Sequence, residues 1–220
     1  MTSEPYRIIV SHYEQCLEKH GDCHRGVDWP NQADADTRYR VMLQLIPAGE
    51  CCSLLDFGCG AGQLYSFLRA QGEAYHGVEY AGLDMSPQFI RLCREKFPQL
   101  RFLQADILQQ AELVPECDYI VLNGVFTEKL TLSFDEMESF FQRMLCAVFA
   151  KARKGIAFNV MSKAVDWERD DLFHLSTDRL ISFLASNLSR HFVIRNDYGL
   201  YEYTTYVYRA PGLLGAPCKR

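Results

Sequence analysis

Three glycines at alternate positions, Gly58, Gly60 and Gly62, constrain this chain more than any other feature. They follow Cys51 to Leu55, an apolar run with the length of a buried strand, and the pair Asp56-Phe57. Gln63 to Ala70 then reads as a helix start. Strand, tight glycine turn and helix N-terminus is a geometry that brings backbone N–H groups close to a small ligand. Glycine is required because a Cβ would obstruct both the positive-φ turn and the close approach.

The spacing limits which ligand that is. A dinucleotide fingerprint, G-x-G-x-x-G counted from Gly58, would need glycine where Gln63 stands. Asp56, two residues before the first glycine, would set like charges against a pyrophosphate, whereas it suits an ammonium or sulfonium group. No G-x-x-x-x-G-K-[ST] run is present, so a phosphate-gripping P-loop is excluded. With Leu54-Leu55-Asp56-Phe57-Gly58-Cys59-Gly60-Ala61-Gly62-Gln63-Leu64, the chain resembles the class I S-adenosylmethionine-dependent methyltransferases at their first motif.

Downstream segments extend the resemblance over roughly residues 33 to 209. Val78 to Asp84 reads as a second strand ending in an acid, near the roughly 20-residue offset at which a carboxylate accepts from ribose hydroxyls. Ser86-Pro87 has the look of an N-cap and first helical position, opening a helix through Gln88 to Phe97. Arg101 to Ala105 is a third short strand, and Asp118 to Leu122 a fourth, nearly all apolar as a central parallel strand should be. The resemblance implies that Met85 packs on the adenine, that Asp106 accepts from its exocyclic amine and that Ile107 touches the ring. It also implies that Asn123-Gly124, in the loop after the fourth strand, faces the transferring methyl. The cofactor set it implies is Arg38 (favoured over Arg40), Asp56, Gly58, Gly60, Gly62, Gln63, Leu64, Asp84, Met85, Ser86, Asp106, Ile107, Asn123 and Gly124, with S-adenosyl-L-methionine as the cofactor. Some DNA and glutamine methyltransferases of this family carry an Asn/Asp-Pro-Pro-aromatic motif after this strand that orients a planar nitrogen. Asn123-Gly124-Val125-Phe126 departs from it, so that substrate class is not supported.

The remaining segments complete an α/β pattern. Helices are expected over Pro5 to Glu18, Ala33 to Ile46 and Ser133 to Lys151. The last carries Phe134, Met137, Phe141, Met144, Leu145 and Val148 as a core face rather than a cofactor box. Gly155 to Val160 is a fifth strand. Met161 to Leu175 reads as a polar loop lying over the strand ends as a substrate lid. A helix capped by Ser176 or Thr177 runs to Leu188, and His191 to Asn196 and Tyr201 to Arg209 pair antiparallel. The resemblance then implies a three-layer sandwich on a mostly parallel seven-stranded sheet of order 3-2-1-4-5-7-6, Rossmann-like, with the last strand antiparallel. One domain is expected: residues 1–48 as a helical cap over the cofactor cleft, 49–209 as core, and 210–220 as a loose tail.

Catalytic candidates are Asn123, Asp166 and His174, and none is required. Displacement at a sulfonium methyl has a good leaving group, so alignment and desolvation carry much of the rate. Trp29, Phe126 and Trp167 are expected to line an acceptor pocket. A net charge of −5 without a Lys/Arg-rich run argues against nucleic acid and for a small-molecule acceptor. His20, Cys23 and His24 lie close together but lack a fourth ligand at suitable spacing, so no metal is expected. Cys59 reads as a small residue fitting the turn, not as a nucleophile. Nine scattered cysteines without a C-x-x-C pair, and a start lacking a basic then apolar stretch, indicate a reduced, cytoplasmic protein. Uncharged runs are too short to span a bilayer. Two other classes stay open: a nicotinamide-dependent oxidoreductase on a related sheet, and a module that binds the cofactor without turnover.

Overall fold

The structure, a computed structural model, describes residues 4–211. Its strands are β1 (Cys52–Phe57), β2 (Val78–Asp84), β3 (Arg101–Gln104), β4 (Cys117–Phe126), β5 (Ala152–Met161), β6 (His191–Arg195) and β7 (Glu202–Tyr208). The helices are α1 (Arg7–His20), α2 (Gln32–Leu43), α3 (Gln63–Ala70), α4 (Pro87–Lys96), α5 (Phe134–Lys151) and α6 (Thr177–Asn187). One seven-stranded sheet runs β3-β2-β1-β4-β5-β7-β6. Its first five strands are parallel, and β7 is antiparallel to both neighbours. The expected order and the antiparallel last strand are both present. Among the described residues no helix is long and apolar enough to cross a membrane.

The central strands are apolar on both faces because both faces are covered. Leu55, Ile120 and Leu122 point into a core shared with α5 and α6, together with Tyr6 and Ile9 at the start of the chain. Leu54 and Val121, on the opposite face, pack with α2, α3 and α4. Alternation along each strand divides the side chains between these two layers. Helix starts follow local chemistry. The Ser86 hydroxyl accepts from the N–H groups of Gln88 and Phe89, and Ser133 with Glu136 forms a capping box at α5.

Several boundaries move from the sequence expectation. Helix α2 stops at Leu43 rather than Ile46, because Leu45 and Ile46 donate to carbonyls three residues back and tighten the last turn. β4 does not yield to a loop at Asn123; it continues to Phe126 with a register shift against β5 between Leu122 and Phe126. Gly124 at φ +79° makes that irregularity possible, as in a β-bulge. β5 starts at Ala152, and β7 at Glu202. Of the tail expected to be loose, residues 212–220 lie outside the described residues.

Strand order reverses between β1 and β4, since β1 leads outward to β2 and β3 while β4 leads the other way. In open parallel sheets the crevice at the carboxyl ends of such strands receives ligands. Phe57, Asp84 and Phe126 mark those ends here.

Candidate functional site

The glycine turn is anchored to β2. The N–H groups of Gly58 and Cys59 both donate to the Leu83 carbonyl, at 2.7 and 3.0 Å. Gly58 has φ +74°, and a Cβ there would sit 2.7 Å from Val125 Cγ2, so this position needs glycine for backbone and space alike. The turn therefore lies against β4 on one side and the end of β2 on the other.

Two carboxylates face the resulting cavity. Asp56, 2% exposed, accepts from the Tyr80 hydroxyl at 2.7 Å. Burial pushes its carboxyl up to about 7; the tyrosine opposes the shift and the neighbouring Asp84 charge adds to it. Asp84 accepts the Gly60 N–H at 2.9 Å and the Ser86 N–H at 2.8 Å. Burial raises its pKa as well, against the lowering effect of those backbone donors. A pyrophosphate would meet both acids here, whereas a cation and a diol would find acceptors. Asn123 sits on the same wall, and its Oδ1 is buried without a partner. An orphaned acceptor at a cavity is a place for a ligand donor.

The remaining walls are apolar and come from distant parts of the chain. α1 and its N-cap supply Tyr6, Ile9, Val10 and Tyr13, and α5 supplies Phe140 and Met144. So the face of α5 read as pure core also touches the cavity. Trp29 and Tyr39 complete the rim, with Tyr39 donating to Gln63 Oε1 at 3.0 Å. Of the residues proposed for cofactor contact, Asp56, Gly58, Gly60, Gln63, Leu64, Asp84, Met85, Ser86, Asn123 and Gly124 line this one cavity.

Four residues do not reach it. Gly62 forms the N-cap of α3 in left-handed conformation. Arg38 is instead paired with Glu202, Nε to Oε2 at 2.8 Å, and stacks 4.1 Å from the Trp29 ring. Asp106 accepts from the Tyr6 hydroxyl at 2.8 Å and the Leu108 N–H at 3.0 Å, so Tyr6 takes the cavity-facing position instead. Ile107, 2% exposed, is turned into the α5-side core. The expected acceptor-pocket residue Phe126 is likewise core, with its ring against Phe140, Phe141 and Phe158. Cys59 is buried, and a hydrogen bond with Cys93 followed by burial pushes its thiol well above the usual range, which makes it a poor nucleophile.

A second, wider cleft of about 830 Å³ adjoins the first, and Trp29 belongs to the walls of both. Asp166 and His174 lie here, away from the glycine turn. His174 is buried with both ring nitrogens engaged, Nδ1 on the Ser162 carbonyl at 2.6 Å and Nε2 on the Arg169 N–H at 3.3 Å. That arrangement fixes the Nδ1–H tautomer and leaves no free basic nitrogen. The loop from Met161 to Leu175 does border the cleft, tied down by Lys129 and Leu130 N–H groups on the Asp171 carbonyl.

Sequence reading missed Tyr13 and Glu128. Tyr13 donates to the Gly124 carbonyl at 3.3 Å, and Glu128 lines the second cleft with its carboxyl raised to about 7 by burial and then by the Asp28 and Asp171 charges. Position just past β4 was the available signal for Glu128. For Tyr13, nothing in a helical stripe distinguishes a cavity wall from core.

A family profile described as a methyltransferase domain matches residues 55–147. The Mycobacterium tuberculosis protein Rv1506c, a methyltransferase by provisional name, is 30% identical over 170 residues, covering 76% of this chain and 99% of that protein. A trans-aconitate 2-methyltransferase from Azoarcus sp. is 32% identical over 94 residues, 42% of this chain and 36% of the relative. Among solved structures, magnesium protoporphyrin IX methyltransferase from Synechocystis PCC 6803 with bound S-adenosylmethionine superposes with a TM-score of 0.64 at 16% identity, covering 95% of this chain and 99% of that one. At that identity the likeness speaks to the fold.

Proposed function

We propose, from the premise that this chain belongs to the class I S-adenosylmethionine-dependent methyltransferases, that it methylates a small molecule bound in the second cleft. When bound, the cofactor supplies a methyl group on a sulfonium whose departure leaves a neutral thioether. The residues that would hold it are those of the first cavity. Asp56 and the orphaned Asn123 Oδ1 offer acceptors to its cationic part, and Asp84 offers two carboxylate oxygens to a vicinal diol. Tyr6 at the N-cap of α1 and Tyr13 within it would close that cavity, so the described residues 4–48 act as a cap on a single domain. This excludes water from the reacting groups.

The observation that carries the acceptor assignment is Trp29, which stands on the wall of both spaces. An acceptor in the wide cleft therefore approaches the first cavity past the indole. The cleft carries Arg25 and Arg169 but also Asp28, Asp34, Glu128 and Asp166, a mixed lining unsuited to gripping a phosphate backbone. Trp167 and Tyr201, 75% and 68% exposed, border it and provide flat apolar surface. The Met161–Leu175 loop is its lid. The eight cysteines among the described residues are all free, which supports a reducing, cytoplasmic setting.

The test is incubation with S-adenosylmethionine and a metabolite extract, reading S-adenosylhomocysteine and methylated product together by mass spectrometry. Trp29→Ala should depress turnover of the acceptor so found more than it depresses cofactor affinity. Cofactor binding with no product from any extract favours a binding module. Equal losses in Trp29→Ala would remove the second cleft as the acceptor site.

A further inference from the structure

His12 and Cys16 sit one turn apart on α1, the spacing that places two side chains on one helix face. Asp28, just past the short 3₁₀ turn at His24–Val27, meets them there. Its Oδ2 lies 2.7 Å from His12 Nε2, and Cys16 Sγ lies 3.8 Å from that same nitrogen. The three donor atoms all fall within 4.8 Å of one another. Asp28 takes a left-handed backbone conformation, φ 59°, in delivering its carboxylate.

The geometry points to a binding site for a borderline-soft divalent cation of the zinc class, formed by His12 Nε2, Cys16 Sγ and Asp28 Oδ2. Tetrahedral zinc with ordinary bond lengths sets nitrogen and sulfur about 3.6 Å apart, and nitrogen and oxygen about 3.4 Å apart. The sulfur–nitrogen separation already fits. The nitrogen–oxygen contact needs to open by well under 1 Å, and that is rotation of an exposed carboxylate rather than movement of the backbone. A mixed nitrogen, sulfur and oxygen set selects this class over magnesium or calcium, which take oxygen ligands. Cation binding releases the Cys16 thiol proton to solvent and needs His12 neutral with its proton on Nδ1.

Three protein ligands leave a fourth position open, the arrangement of zinc sites that accept an exogenous ligand. Asp28 and Glu128, both acidic, border the same cleft. A cation here offsets that crowding of acids. It also pins α1, which forms one wall of the first cavity, to the turn that leads into Trp29. None of this depends on what the acceptor is. The His20, Cys23 and His24 set does not assemble in the same way, since the Cys23 thiol is turned onto the His20 carbonyl at 3.3 Å.

The experiment is titration of the full-length, chelator-treated protein with Co²⁺ alone, followed by visible and near-ultraviolet absorption. Expected are one-to-one saturation, a thiolate-to-cobalt charge-transfer band, displacement by Zn²⁺ and a rise in the midpoint of thermal unfolding. Cys16→Ser should abolish the band while far-ultraviolet circular dichroism stays that of the parent, and Cys23→Ser and Cys51→Ser should keep it. His12→Asn and Asp28→Asn should each weaken binding by roughly tenfold or more, the scale seen for disturbed metal sites. No saturable signal in the folded protein, or a band that survives Cys16→Ser, overturns the site.

Discussion

Gly60 donates its backbone N–H to the Asp84 carboxylate at 2.9 Å, so a side-chain hydrogen bond joins the two backbone bonds from Gly58 and Cys59 to Leu83 in holding the turn after β1 to the end of β2. The same carboxylate faces the cavity. Its positions are thus set before any ligand arrives, and a single side chain serves both the shape of the turn and the reading of what enters it.

Asp84→Asn should weaken S-adenosylhomocysteine binding by about 1.5–3 kcal/mol, roughly 10- to 150-fold, the range for hydrogen bonds to a charged group. Isothermal titration calorimetry reads this directly. Unaltered affinity in a folded variant removes Asp84 from the site.

Asp56 sets a pH dependence with a definite sign. Burial holds its carboxyl up near 7 in the folded protein, against 3.8 for the ordinary group. The contribution to stability is therefore complete below about pH 4 and is lost as pH rises through about 7, because the folded state resists ionising it. A cationic ligand favours the ionised form, so S-adenosylmethionine affinity should climb across the same window while adenosine affinity stays flat. Asp56→Asn should flatten the climb and make the ligand-free protein relatively more stable at pH 8 than at pH 4. Titrations and thermal melts at several pH values check both, and a flat profile in the parent protein would refute the account.

Gly58→Ala should cost about 1–3 kcal/mol, combining a left-handed backbone with a contact 2.7 Å from Val125 Cγ2. Adding Val125→Ala relieves the contact but not the backbone. Urea denaturation of both variants should show partial recovery; full recovery would mean that the conformation carries no strain.

Glu202→Gln leaves the Arg38 guanidinium buried without its counter-charge, since Arg38 and Glu202 pair at 2.8 Å with side chains 9% and 1% exposed. The expected loss is about 3–5 kcal/mol. Arg38→Met in the same background should recover much of it, because no charge then remains to be paired. A four-member cycle of thermal melts measures the coupling, and strictly additive effects would show that the pair is not coupled.

The legible part of this protein is the part written in neighbouring residues. Gly58, Gly60 and Gly62 require particular backbone angles, Ser86-Pro87 opens α4 by chemistry within three residues, and apolar runs mark the strands. From these the sequence determined the strand succession, the glycine turn and one family resemblance. The resemblance gave Arg38 and Asp106 cofactor contacts, and only the tertiary structure showed their partners: Arg38 pairs with Glu202 across 164 positions, and Asp106 accepts from Tyr6 across 100. Which face of α1 lines the cavity, and that His12 and Cys16 meet Asp28, were decided there too. The physical reason is range. A positive φ or a helix cap is enforced by atoms a few bonds away. The partner of a buried charge is chosen by which strands end up adjacent, and that depends on the packing of the whole sheet.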